Sequence, residues 1–155
     1  MTIQAKVLWE RKAEESFLDS RYSRVHHWHL DGGAVIPASA SPEIVGVPMA
    51  DPRLIDPEEA YLASLSSCHM LFFLSIAAKK KLVVERYEDN PEGTMGKNEQ
   101  GKIAVLSVVL RPKIMFGGTS VPSWETIQHI HELAHSECFI ANSVRTVIIV
   151  EGVPS

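Results

Sequence analysis

Apolar and polar residues alternate over IQAKVLW (3–9), the period of a half-buried strand. A polar stretch, ERKAEESFLDSRYS, leads to a second strand, VHHWHL (25–30), closed by the turn Asp31-Gly32-Gly33. Residues 34–56 are rich in Pro, Ser and Asp and read as a long loop of the kind that often carries function. The period then changes to helical. Asp56 suits an N-cap, Pro57 the first helical position, and Glu59 completes a capping-box spacing. No breaker follows until after Lys81, which gives a helix of roughly 37 Å at 1.5 Å per residue. Leu62, Leu65, Met70, Leu71, Phe72, Phe73, Leu74 and Ile76 make it apolar nearly all round. One sheet covers one side of a helix, so a second subunit or helix is expected on the other.

Beyond the helix, LVVERYED and KIAVLSVVLRPKIMF read as two strands joined by the turn-rich NPEGTMGKNEQG. SWETIQHIHELAHSE (123–137) reads as a shorter amphipathic helix with Ile127, Ile130 and Ala134 on its core side, and VRTVIIVEG as the last strand. Strands, long helix, strands, helix, strand is an α+β pattern with a mostly antiparallel sheet.

Composition narrows the function classes. The 155 residues fit a single domain over 1–155, and 45% hydrophobic with 22% charged residues is an ordinary globular balance. A net charge of −4 and no basic block beyond Lys79-Lys80-Lys81 argue against nucleic-acid binding. Two cysteines are too few for a disulfide scaffold. The N-terminus has no apolar signal region, so a cytoplasmic protein with reduced thiols is expected. Residues 60–78 approach the length of a membrane span, but four serines, a cysteine and a histidine favour a buried helix.

Two stretches carry candidate chemistry. HELAH (131–135) fits the zinc-peptidase pattern His-Glu-x-x-His, in which His131 and His135 would bind metal and Glu132 act as base. A catalytic site needs a third protein ligand; only Glu137, Cys138 and Glu151 lie downstream, in none of the usual spacings. The competing reading of HELAH is a solvated helix face. The second stretch is Cys68 in SLSSCHM, inside the long helix, together with Cys138 at the end of the short one. If the fold brings them together, one thiolate can attack an O–O bond and the other thiol can condense with the sulfenic acid to a disulfide. A mid-helix thiol gains nothing from the helix N-terminus and needs a cation to ionise near pH 7; Arg21, Arg24 and Arg53 are available.

DPEEAYLASLSSCHM (56–70) and CFIANSV (138–144), with YSRVHHWHLDGG (22–33) ahead of them, resemble the OsmC/Ohr family. The resemblance implies an OsmC-like fold in an intertwined homodimer, with two long helices at its centre and sites at the interface. It also implies thiol-dependent reduction of organic hydroperoxides without metal, flavin or haem, recycled by a dithiol or lipoylated reductant. Carried over, Cys68 matches the peroxidatic cysteine, Cys138 the resolving one, Glu58 the family's glutamate, and Arg24 its arginine, with Arg21 as the fallback. Arg24 would stabilise the thiolate, and Glu58 would hold the guanidinium in a bidentate pair. Where better-characterised branches often have proline after the second cysteine, this chain has Phe139. Two other classes compete with this reading: a zinc-dependent hydrolase using HELAH, and a non-catalytic dimer that binds a small apolar ligand.

Overall fold

The computed structural model describes residues 1–154. The chain forms two compact units, the first Met1–Ala60 and the second from Tyr61 onward. In the first, β1 (Ala5–Leu8), β2 (His26–Leu30) and β3 (Val35–Ala38) form an antiparallel sheet in the order β1-β2-β3. The third strand lies inside the stretch read above as loop. Pro37 obscured it, and Pro37 is tolerated because β3 pairs on one side only with β2. The segment after β3 is tied down at several points. Buried Ser39 donates its N–H to Ile55 O at 2.9 Å, its Oγ accepts from Asp51 N at 3.0 Å, and Arg24 N reaches Met49 O at 2.8 Å.

Helix α1 (Pro57–Lys79) starts as its sequence indicates. Glu59 N donates to Asp56 Oδ1 at 2.8 Å and Asp56 N to Glu59 Oε2 at 3.2 Å, a reciprocal capping box. Its buried residues, Leu65, His69, Phe73 and Ala77, are spaced four apart on one stripe. Other apolar positions stay uncovered in the single chain; Leu71 is 60% exposed. By length and composition the helix would also pass as a membrane span.

The second unit adds β4 (Val83–Glu88), β5 (Glu92–Lys97), β6 (Ile103–Leu110), β7 (Lys113–Gly117), α2 (Trp124–Glu137) and β8 (Val147–Val150). β4 pairs antiparallel with β7; β6 pairs antiparallel with β5 and parallel with β8. The fold is α+β, as expected. Two details differ from the sequence reading. The expected single strand over 102–116 is two strands in different sheets, broken at Arg111 and the buried Pro112. The turn-rich 90–101 stretch contains β5, whose glycines admit neighbouring side chains. A Cβ on Gly93 would come within 2.9 Å of Leu62, and one on Gly96 within 2.7 Å of Leu106.

Two apolar clusters hold this unit. Phe73 and Ala77 of α1 pack with Ile127, Ile130 and Ala134 of α2 and Ile114 of β7. Leu65 packs with Val108 and Leu110 of β6. Ser123 caps α2 by accepting from Thr126 N, and Cys138 closes the helix at its C-terminal end.

Candidate active site

Cys68 and Cys138, 70 positions apart, are brought together. Both are free thiols, and the Cys138 side chain lies within hydrogen-bonding reach of Cys68. Cys68 is half-buried on the fourth turn of α1, where the helix's own N–H groups are committed to backbone bonds. Cys138 is 1% exposed. Burial, and then the hydrogen bond to Cys68, push its thiol up to about 11; the N–H of Ala141, which donates to Sγ at 3.5 Å, pulls the other way. The turn carrying Cys138 is pinned by Asn142. Its Nδ2 donates to Ser136 O at 2.9 Å and Cys138 O at 3.0 Å, and its backbone N–H to Cys138 O at 3.0 Å. Beside the thiols, Phe72 meets Phe139 edge-on with ring centroids 5.0 Å apart.

Arg24 and Glu58 belong to the first unit and line the same cavity of about 560 Å³. Its wall is largely apolar, with Trp9, Phe17 and Tyr22 prominent. The guanidinium lies over the Tyr22 ring, its carbon 3.6 Å from the centroid, and donates to the carbonyls of Ser20, at 3.0 Å, and Tyr22. The expected bidentate pair with Glu58 is not formed: among the described residues no ion pair joins them. Backbone carbonyls two and four residues away hold the arginine instead. The alternatives are placed differently. Arg53 is 84% exposed and forks onto Asp51 through Nε at 3.0 Å and Nη2 at 2.7 Å, holding that carboxylate at about 2. Arg21 is exposed. Only Arg24 of the three lines the cavity.

The HELAH helix is not a solvated face at His131, and that expectation is corrected. His131 is 4% exposed, because it falls on the buried stripe Ile127-Ile130-His131-Ala134. Its Nδ1 lies 3.0 Å from Nε2 of the fully buried His69, the two rings nearly parallel at 14°, and its ring packs 4.5 Å from that of Phe73. Burial drives both imidazoles toward the neutral form, His69 to about 3 and His131 to about 4. Sequence reading missed this pair. The available signal was that both histidines complete apolar stripes at helical spacing. His131, Glu132 and His135 line a smaller cavity of about 240 Å³, but among the described residues no three His, Cys, Asp or Glu side chains converge to hold a metal ion.

A sequence model of OsmC-like protein matches residues 50–151. An OsmC-like protein of unknown function from Vibrio cholerae O1 biovar eltor is 52% identical, with a TM-score of 0.97 over 99% of both chains. An organic hydroperoxide resistance protein from Elizabethkingia anophelis, crystallised with thiocyanate bound, is 21% identical, with a TM-score of 0.70 over 98% of this chain and 94% of that one. Another organic hydroperoxide resistance protein, from Bacillus subtilis, is 16% identical, with a TM-score of 0.68 over 99% of this chain and 98% of that one. At those identities the last two establish a shared fold. No protein with a curated description matches the chain.

Proposed function

The chain belongs to the OsmC-like protein family, and from that premise we propose that it is a cysteine-based peroxidase that reduces organic hydroperoxides. The observation that carries this reading is the meeting of two free thiols from distant parts of the sequence, one half-exposed and one buried. In the proposed cycle the Cys68 thiolate attacks the terminal peroxide oxygen. The O–O bond breaks, the alkoxide leaves and takes a proton to become the alcohol, and Cys68 becomes a sulfenic acid. Cys138 condenses with it, forming the S–S bond and releasing water; a dithiol or lipoylated reductant then restores both thiols.

Arg24 is proposed as the cation that favours the Cys68 thiolate and the leaving alkoxide. Its fixed guanidinium in an apolar cavity supports that role, and the same cavity suits the organic part of a hydroperoxide. Glu58 is proposed to bias the charge of that cavity. The uncovered apolar positions of α1 support a homodimer, and reduced resting thiols suit a cytoplasmic setting. The apolar cavity also favours a second reading, a dimer that binds a small apolar ligand without turning it over.

Consumption of cumene hydroperoxide against hydrogen peroxide, with dithiothreitol as donor, tests the proposal. The expected result is faster turnover of the organic peroxide, abolished in Cys68→Ser. Cys138→Ser should keep one rapid oxidation of Cys68 and lose recycling by the dithiol. Equal turnover by Cys68→Ser and the natural chain would end the peroxidase reading. Retention of both free thiols after stoichiometric peroxide would favour the ligand-binding one.

A further inference from the structure

We propose that the cavity between α2 and β8 is a second ligand site, which takes a small neutral carbonyl compound whose oxygen accepts a hydrogen bond from Nε2–H of His131. The site lies wholly in the second unit, and neither cysteine lines it. Its volume of about 240 Å³ is bounded by His131, Glu132 and His135 of α2, by Ile148 and Val150 of β8, and by Gly152. That is more than a single bound water fills. Two observations point to an occupant. His131 is 4% exposed, and its buried Nε2 has no hydrogen-bond partner among the described residues. Buried polar atoms without partners are uncommon and costly. Gly152 keeps the space beside that atom open. A Cβ there would come within 3.2 Å of His131 Nε2 and 3.1 Å of Trp124 Cη2.

The partner of His131 decides what Nε2 presents. His131 Nδ1 lies 3.0 Å from His69 Nε2, and each neutral ring carries one N–H. If His131 donated through Nδ1, His69 would hold its own proton on Nδ1, which is buried and without a partner among the described residues. A stranded N–H is rarer in folded proteins than a stranded lone pair. If His69 donates through Nε2, only a lone pair is stranded on His69, and the His131 proton sits on Nε2, facing the cavity. The second arrangement buries no orphan donor. His131 is therefore a fixed donor, held in place by a histidine of the other helix.

The rest of the lining sets the ligand's charge and body. Glu132, its side chain 78% exposed, opposes an anionic head. A cationic head has no acceptor in the N–H of His131. A metal ion finds no lone pair on Nε2, because the proton occupies it, although the HELAH spacing invites one. A neutral carbonyl oxygen meets none of these objections. Ile148 and Val150 offer an apolar surface to the remainder of the molecule.

The test is an NMR titration of the full chain, labelled with heavy nitrogen, at neutral pH. The probes are cyclohexanone, cyclohexylammonium and cyclohexanecarboxylate, which share a ring and differ in the head. The imidazole nitrogen shifts of His131 should show its proton on Nε2. Cyclohexanone should move the signals of His131, Gly152 and Ile148 to saturation, and bind at least about tenfold more tightly than either charged probe, the worth of one hydrogen bond. Gly152→Ala should keep the amide spectrum of the folded chain and weaken cyclohexanone about tenfold, because its methyl intrudes beside Nε2. A His131 proton on Nδ1 would overturn the proposal. So would a charged probe that binds as tightly as the ketone, or unchanged ketone binding by Gly152→Ala. Absence of a saturable shift with any probe would mean that the cavity holds solvent only, and would overturn it as well. No readout involves peroxide or a thiol, so failure here is distinguishable from failure of the natural chain to consume hydroperoxide.

Discussion

The two units treat ionisable groups in opposite ways. The first keeps charge: Arg24 lies in an open cavity on carbonyls and a tyrosine face, and exposed Arg53 pairs with Asp51. The second buries His69, His131 and Cys138 and keeps them neutral. The difference follows from solvation. An unpaired charge in a dry core costs several kcal/mol, whereas a neutral imidazole or thiol needs only hydrogen-bond partners. A thiol peroxidase needs a cation and also a low-dielectric place for its nucleophile.

The largest expected effect removes the cation. Arg24→Ala should slow Cys68 oxidation by about 100- to 1,000-fold, the usual cost of deleting one preorganised donor to a developing anion. Arg24→Lys should rescue poorly, because an ammonium cannot reproduce the planar fork that spans Ser20 O and Tyr22 O. Stopped-flow oxidation of the reduced protein by cumene hydroperoxide measures both. An unchanged rate in Arg24→Ala would move the role to Arg21 and then Arg53, and would remove the functional contrast between the units.

The next effect tests the neutral core. His131→Ala leaves Nε2 of His69 without its partner and opens a void beside Phe73, at a cost of about 3 kcal/mol in urea unfolding. Replacing both histidines, as in His69→Leu with His131→Leu, should cost less than the single change, since no buried polar atom is then stranded. A His131→Ala variant as stable as the natural chain would mean that the pair is not buried in solution.

Acid should expose the same pair. Between the ordinary histidine value near 6.5 and about 4 for His131, or about 3 for His69, the unfolded chain binds protons that the folded chain excludes. Stability is therefore full above about pH 6.5 and falls as pH drops through that window, by about 2 kcal/mol at pH 5 from His131 alone. Thermal midpoints measured from pH 7 to pH 4 check the slope, which should flatten in the double leucine variant.

The element limits were legible in the sequence in several places, and the rest was hidden for identifiable reasons. The capping box at Asp56 and Glu59 is local, so its residues announce it. The α2 limits likewise follow from Ser123 and an amphipathic period. Strand β5 was hidden because its glycines serve a packing contact made by Leu62, distant in sequence, and read as turn residues in isolation. The break at Arg111-Pro112 was hidden because both flanking segments are apolar strands, and only the sheet each one joins separates them. At the site, composition supplied the two cysteines, but their meeting depends on how α1 and the end of α2 pack. His131 was misread because a polar residue on an apolar stripe looks exposed until its partner, His69 in another helix, is known.

The smallest expected effect concerns Glu58. If it gripped the guanidinium as the family pattern implies, removing it would cost nearly as much as removing Arg24. Instead the carbonyls of Ser20 and Tyr22 hold Arg24, and Glu58 shares the cavity without an ion pair. Its remaining influence is electrostatic: a half-buried carboxylate in the first turn of α1, near the positive end of the helix dipole. Glu58→Ala should therefore lower the oxidation rate less than tenfold and cost stability about 0.5 kcal/mol through the lost dipole contact. Glu58→Gln, which keeps shape and loses charge, should match Glu58→Ala in stability. Measured beside Arg24→Ala under the same conditions, a loss of 100-fold or more in Glu58→Ala would show that the protein in solution forms the Arg24–Glu58 ion pair, and that the arginine's backbone cradle is not what positions it.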